Sequence, residues 1–273
     1  MVRKLLKYEW AHFIKTILPM ELILLGIALL TRFVQFFEAD TTVYEIISVS
    51  SIVIFCIACA VCIIMTFVIN INRFYRNLYS PEGYLSFTLP VTVDQHIFAK
   101  LTTAVLTTLL SAVSVIAAVA VTTAGDVLTE LLKAAGYLFG RIVDLAGWQT
   151  LIIALELILL IAAMIASGYL LFYACATLGQ TAKKRRVLAA FGFYFLYYVI
   201  KQAFGTFFII VFSIVSETDW FVKVVDWVFD AFRNHPFISI HISIWIAMLF
   251  TALLGCVYYL INRFVMKNKL NLE

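Results

Sequence analysis

Six stretches of this chain are almost continuously apolar, and polar breaks of very different length separate them. Each stretch is at least as long as the roughly 20 residues a helix needs to cross a bilayer. The pattern predicts spanning helices over about 17–37, 46–71, 96–124, 149–178, 187–215 and 237–265. Ahead of the first span, MVRKLLKYEWAHFIK places Leu5, Leu6, Trp10, Phe13 and Ile14 along one helical face among four basic residues. Residues 1–15 are therefore expected to form an amphipathic helix lying flat on the membrane surface. Two of the breaks are amphipathic as well. Residues 125–148 carry Leu128, Leu131, Leu132, Ala135 and Leu138 at helical spacing, and 216–236 is acidic and aromatic, with Trp220, Trp227, Phe229 and Phe232.

Composition agrees with the pattern. Of 273 residues, 64% are hydrophobic and 13% charged, whereas soluble domains run near half apolar and a quarter charged. The expectation is an all-α, multi-pass protein of the cell membrane, organised as a single transmembrane domain over 1–273. No small-residue cleavage site follows the first span, so it is expected to remain in the mature chain. Basic residues near span ends set the orientation. With the N-terminus inside, fourteen Lys and Arg residues fall on the cytoplasmic side, against Lys133, Arg141, Lys223 and Arg233 outside. Both termini and the 72–95 loop are thus assigned to the cytoplasm, and 125–148 and 216–236 to the outer face. The formal charge of +4 follows from this asymmetry and implies no nucleic-acid partner.

Recognisable enzyme chemistry is missing. There is no GxxxxGK[ST] phosphate loop, no HExxH and no GxSxG, so no catalytic residue is assigned and ATP hydrolysis is not expected of this chain. Cys56, Cys59 and Cys62 trace one helical face, where free thiols behaving as small hydrophobes compete with a metal site that no His or carboxylate accompanies. No metal is assigned, and the four histidines, all near span ends, are read as solvated imidazoles. Three intramembrane charges, Glu21, Glu156 and Lys201, need a reason, since each costs several kcal/mol if it faces lipid. Glu21, about 6 Å from the inner end of its span, can reach the headgroups. Glu156, about 12 Å from the outside, and Lys201, about 20 Å from the inside, reach nearly the same depth of a 30 Å core. They are expected to pair, either as a structural ion pair or as a substrate or proton site. The third span is dense in hydroxyls and small side chains. Thr107, Ser111 and Ser114 there either pack within the bundle or line a polar path for a transported molecule.

The 72–95 break, NRFYRNLYSPEGYLSFTLPVTVDQ, is the long polar interruption on the cytoplasmic side. Ser80 suits an N-cap, Pro81 the first helical position and Glu82 the positive helix end, and Pro90 stops the helix after Leu89. A helix of about two turns is expected there. Thr92 and Gln95 have capping-box spacing for the helix that follows. Phe74, Tyr75, Tyr79, Tyr84 and Phe87 fit either a knob that docks in a groove of another protein or an aromatic belt at the headgroups.

Together with the six-span topology, the segment NLYSPEGYLSFTLPVT resembles the loop between the second and third spans of permease subunits of ABC-2 type ABC transporters, common in Gram-positive bacteria. The resemblance implies a dimer with a second permease subunit, identical or not, above two separate ATPase subunits that bind ATP and Mg. It makes Pro81, Glu82, Gly83, Tyr84, Leu85, Phe87 and Leu89 the coupling helix that contacts the ATPase. Export of a lipid, peptide or antimicrobial compound is then the expected activity. Two other readings stay open: an ATPase-independent secondary transporter or channel using Glu156 and Lys201, and a non-transporting membrane scaffold.

Overall fold

A computed structural model describes residues 2–37, 41–79, 91–182 and 184–268. Among them are eight helices and no strand. They are α1 (Val2–Phe36), α2 (Thr42–Tyr79), α3 (Val93–Thr122), α4 (Asp126–Ala146), α5 (Gln149–Gly179), α6 (Arg186–Val215), α7 (Asp219–Asn234) and α8 (Pro236–Asn268). Six of them, α1, α2, α3, α5, α6 and α8, are long and apolar enough to cross a membrane. The chain is a multi-pass, all-α membrane protein.

The separate surface helix expected over 1–15 does not form. The segment is the first part of α1, which runs without a break through Pro19. Nothing between Lys15 and Ile17 stops a helix, and apolar helices of this kind tolerate a proline whose lost hydrogen bond neighbouring groups absorb. One buried stripe explains why the two parts stay joined. Glu9, Phe13, Ile17, Glu21, Leu24, Ala28 and Thr31 recur every three or four residues along the whole of α1 and are covered by protein.

Contacts divide the chain into two units, Met1–Leu145 and Ala146–Glu273. In the first, α1 packs chiefly on α3, and α2 packs on both. Near one end of this bundle the core is apolar, with Leu24 and Ala28 of α1 against Phe55 and Cys62 of α2 and Ala118 of α3. Further along, the seam turns polar. Asn70 Nδ2 donates to Thr107 Oγ1 at 3.0 Å, Thr66 Oγ1 lies 3.0 Å from Ser111 Oγ, and Ser114 Oγ donates to Glu21 at 2.9 Å. Helices in lipid gain nothing hydrophobic from one another, so such contacts and close backbone approach hold them together. At about 0.6 kcal/mol each, three of these bonds contribute on the order of 2 kcal/mol.

In the second unit α5 packs most extensively on α8 and less on α6, and α7 rests on α8. Ser167 of α5 faces Gly255 of α8, a small-residue contact that brings the backbones close. Asn262 of α8 is fully buried there. Its Nδ2 donates to the carbonyls of Leu170 (3.1 Å) and Tyr258 (2.9 Å), and its Oδ1 lies 2.8 Å from the hydroxyl of Thr177. The turn from α5 into α6 is tight. A Cβ on Gly179 would stand 2.7 Å from Ala190 Cβ and 2.8 Å from Arg186 O, so no larger residue fits unless the turn opens. No residue of α6 is buried. The two amphipathic breaks are helical, as α4 and α7, and α4 is exposed along almost its whole length.

Candidate functional site

The coupling helix expected at Pro81–Leu89, with Glu82, Gly83, Tyr84, Leu85 and Phe87, lies outside the described residues. What the structure does describe is the base on which that segment stands. On its C-terminal side Thr92 and Gln95 form the capping box that their spacing predicts. Thr92 Oγ1 accepts from the Gln95 backbone N–H (3.4 Å) and Gln95 Oε1 from the Thr92 N–H (3.3 Å). Two orphan donors of α3 are thereby satisfied and its start is fixed.

On the N-terminal side, the last turns of α2 are buried along one face, with Phe74 and Leu78 both fully enclosed. The two stems are then fastened to α1 by a single carboxylate. Glu9 accepts from Arg73 Nε of α2 and, with its other oxygen, from Lys100 Nζ of α3 at 3.1 Å. Arg73 Nη2 also donates to the Tyr8 carbonyl at 3.4 Å. The Lys100 and Glu9 side chains are only 6% and 10% exposed, so solvent screens this triad little. A buried triad with one anion and two cations ties three helices at one level. Sequence reasoning missed Glu9, because in an amphipathic surface helix it counts as one more solvated polar residue. Its place on the same stripe as Phe13 and Ile17 is the signal that identifies it.

Thr107, Ser111 and Ser114 all bond to neighbouring side chains of the first unit. Thr107 and Ser111 are buried in the polar seam, bonded to Asn70 and Thr66, and Ser114 is half-buried against Glu21. Glu21 departs from expectation. It turns inward to α3 and is 3% exposed, rather than reaching for headgroups.

The Glu156–Lys201 pair is corrected. Glu156 projects from α5 towards α8, where Oε2 is 2.7 Å from His241 Nδ1 and Oε1 accepts from Trp245 Nε1 at 3.0 Å. Both carboxylate oxygens are used. Lys201 stands on an exposed part of α6 and makes no ion pair with it. Equal depth puts two residues at one level, but their azimuths around the helices decide whether they meet, and α6 presents Lys201 elsewhere. His241 and Trp245 lie one turn apart on α8, about 8 and 14 Å from its first residue, which brackets the depth of Glu156 along α5.

Neither a family model, nor a curated protein, nor a solved structure matches this chain. What the chain does must therefore be argued from its own geometry. Two arrangements have functional form: the Glu9 triad, which anchors the stems of the 80–90 segment, and the Glu156–His241 pair inside a spanning bundle. The cysteines add no third. Cys62 is buried in the seam beside Ser111 (3.8 Å), whereas Cys56 is exposed.

Proposed function

We propose that this chain is the membrane-spanning subunit of an ABC transporter of the ABC-2 type, an exporter of a lipid, peptide or antimicrobial compound in the cell membrane. A second permease subunit completes the pore, and separate ATPase subunits bind ATP and Mg and supply the energy. The observation that carries the proposal is the triad of Glu9, Arg73 and Lys100. A segment that receives force from an ATPase must be rigidly joined to more than one span, or its movement dissipates in its own hinges. Here the stems before and after 80–90 are both bonded to α1. The helices are also longer than a bilayer requires. The 38 residues of α2 extend about 57 Å, and the 35 of α1 about 52 Å, against a hydrocarbon core near 30 Å. Together they leave room for a stalk beyond the membrane that ends in the NLYSPEGYLSFTLPVT segment.

The test is to find whether a neighbouring reading frame encodes an ATPase without spans, and to co-purify the chain with it, comparing wild type with Tyr84→Ala and Glu82→Lys. Both variants should insert and fold normally and bind the ATPase at least tenfold more weakly, since an aromatic anchor at an interface is worth about 2 kcal/mol. Wild-type affinity and wild-type ATP-dependent transport in both would remove the best support for the proposal. The Glu156–His241 pair favours a second reading, ion-coupled transport without an ATPase. ATP-independent uptake or efflux by the reconstituted chain alone, abolished by Glu156→Gln, would establish it in place of the first.

A further inference from the structure

We propose that the seam of α1, α2 and α3 around Glu21 is a binding site for a monovalent alkali cation of the sodium class. Glu21 lies well inside α1 and is 3% exposed. One of its oxygens accepts from Ser114, while the other, Oε1, is sealed from solvent with no hydrogen-bond partner. Among the described residues no cation pairs with this carboxylate. A lone ionised carboxylate at such a position is one of the most costly groups a membrane bundle can contain, and either a proton or a bound cation of charge +1 has to neutralise it.

The surroundings select the kind of cation. Ser111 stands beside the same carboxylate, and Thr66 of α2 lies 3.0 Å from Ser111. Carboxylate and hydroxyl oxygens are hard ligands, suited to an alkali ion and unsuited to zinc or copper. A divalent ion would reverse the imbalance and leave the seam with an excess positive charge, whereas a monovalent one cancels it. Glu21 of α1 and Ser111 and Ser114 of α3 supply the oxygens, with Thr66 of α2 behind Ser111, so binding an ion there would also link α1 to α3.

The experiment uses the full-length chain purified in detergent. Thermal unfolding is followed in NaCl, LiCl, KCl and choline chloride at one pH and ionic strength, and binding of radioactive sodium is measured directly. In wild type, sodium at a hundredfold excess over Kd should raise Tm by roughly 5–10 °C relative to choline. Glu21→Gln should abolish both the shift and the bound radioactivity, and Ser111→Ala should weaken binding at least tenfold. Because Glu21→Gln can also fail on folding, direct sodium binding by wild type, competed by lithium more strongly than by potassium, is the second criterion. Equal Tm in sodium and choline, or a sodium shift that persists in Glu21→Gln, overturns the proposal. So does a carboxylic-acid infrared band assigned to Glu21 that sodium does not alter, since the neutralising charge would then be a proton.

Discussion

Replacing Glu9 with glutamine keeps the shape of the side chain and removes the one negative charge between Arg73 and Lys100. Each charge-assisted hydrogen bond contributes about 1.5–3 kcal/mol net, and the amide oxygen of glutamine can still accept one bond as a neutral partner. The loss of one full charge-assisted bond and the weakening of the other sum to about 3 kcal/mol. That agrees with the 3–5 kcal/mol typical of breaking a buried ion pair. It corresponds to about a hundredfold change in the unfolding equilibrium, measurable by reversible denaturation of the purified chain in mixed detergent micelles. The cycle is the sharper test. Lys100→Met alone should also destabilise, yet Glu9→Gln combined with Lys100→Met should cost clearly less than the two losses added, because the Glu9–Lys100 bond that each single variant breaks is then lost only once and Lys100 is not left as a buried cation, although Arg73 still loses its anion. If Glu9→Gln falls within 0.5 kcal/mol of wild type, or if the two losses are additive, the triad does not tie α1 to α3.

The second unit supports two further predictions. Glu156→Ala should cost about 3 kcal/mol, since it leaves His241 and Trp245 without their acceptor, whereas Lys201→Met should not destabilise, because it breaks no ion pair and removes a charge from within a span. A larger loss for Lys201→Met than for Glu156→Ala, read in the same unfolding assay, would restore the pairing that the structure rejects. Gly179→Ala should cost about 1–3 kcal/mol, the usual penalty of overpacking, and Ala190→Gly should relieve it only in part, since it removes the atom 2.7 Å away but leaves Arg186 O and Ala190 N at 2.8 Å. A neutral Gly179→Ala would show that the α5–α6 turn opens freely.

Much of the fold was legible because hydropathy along a helix of known rise needs no knowledge of tertiary contacts. The five spans after the first begin within about four residues of their expected starts, and the capping box at Thr92 and Gln95 forms as its spacing predicts. Partnerships across helices were not legible. Depth can be counted from the chain, but azimuth cannot, and Glu156 was matched to a lysine at its own level when an imidazole one helix further on faced it. His241 had been set aside as an interfacial residue, although the same depth count places it and Trp245 on either side of Glu156. Glu9 failed for a related reason. A helical stripe ending in charged residues looks the same whether it lies on lipid or on another helix, and only the stripe's continuation through Phe13, Ile17 and Glu21 separates the two cases.

The polar seam of the first unit also imposes an order of events on its synthesis. Glu21 and its partner Ser114 are 93 residues apart, and Glu9 and Lys100 are 91 apart. At about 5–20 residues per second, the ribosome needs on the order of 5–20 s to make that much chain. Late in that interval α1 and α2 are complete, while Glu21, Thr66 and Asn70 still lack the hydroxyls of α3 to which they bond. The nascent chain is thus at its most vulnerable just before α3 is complete. Until then its carboxylates and amide lack their α3 partners, and a stall between residues 80 and 110 would hold the chain in that state. Arrival of α3 is the commitment step, because one helix then supplies Lys100, Thr107, Ser111 and Ser114 together.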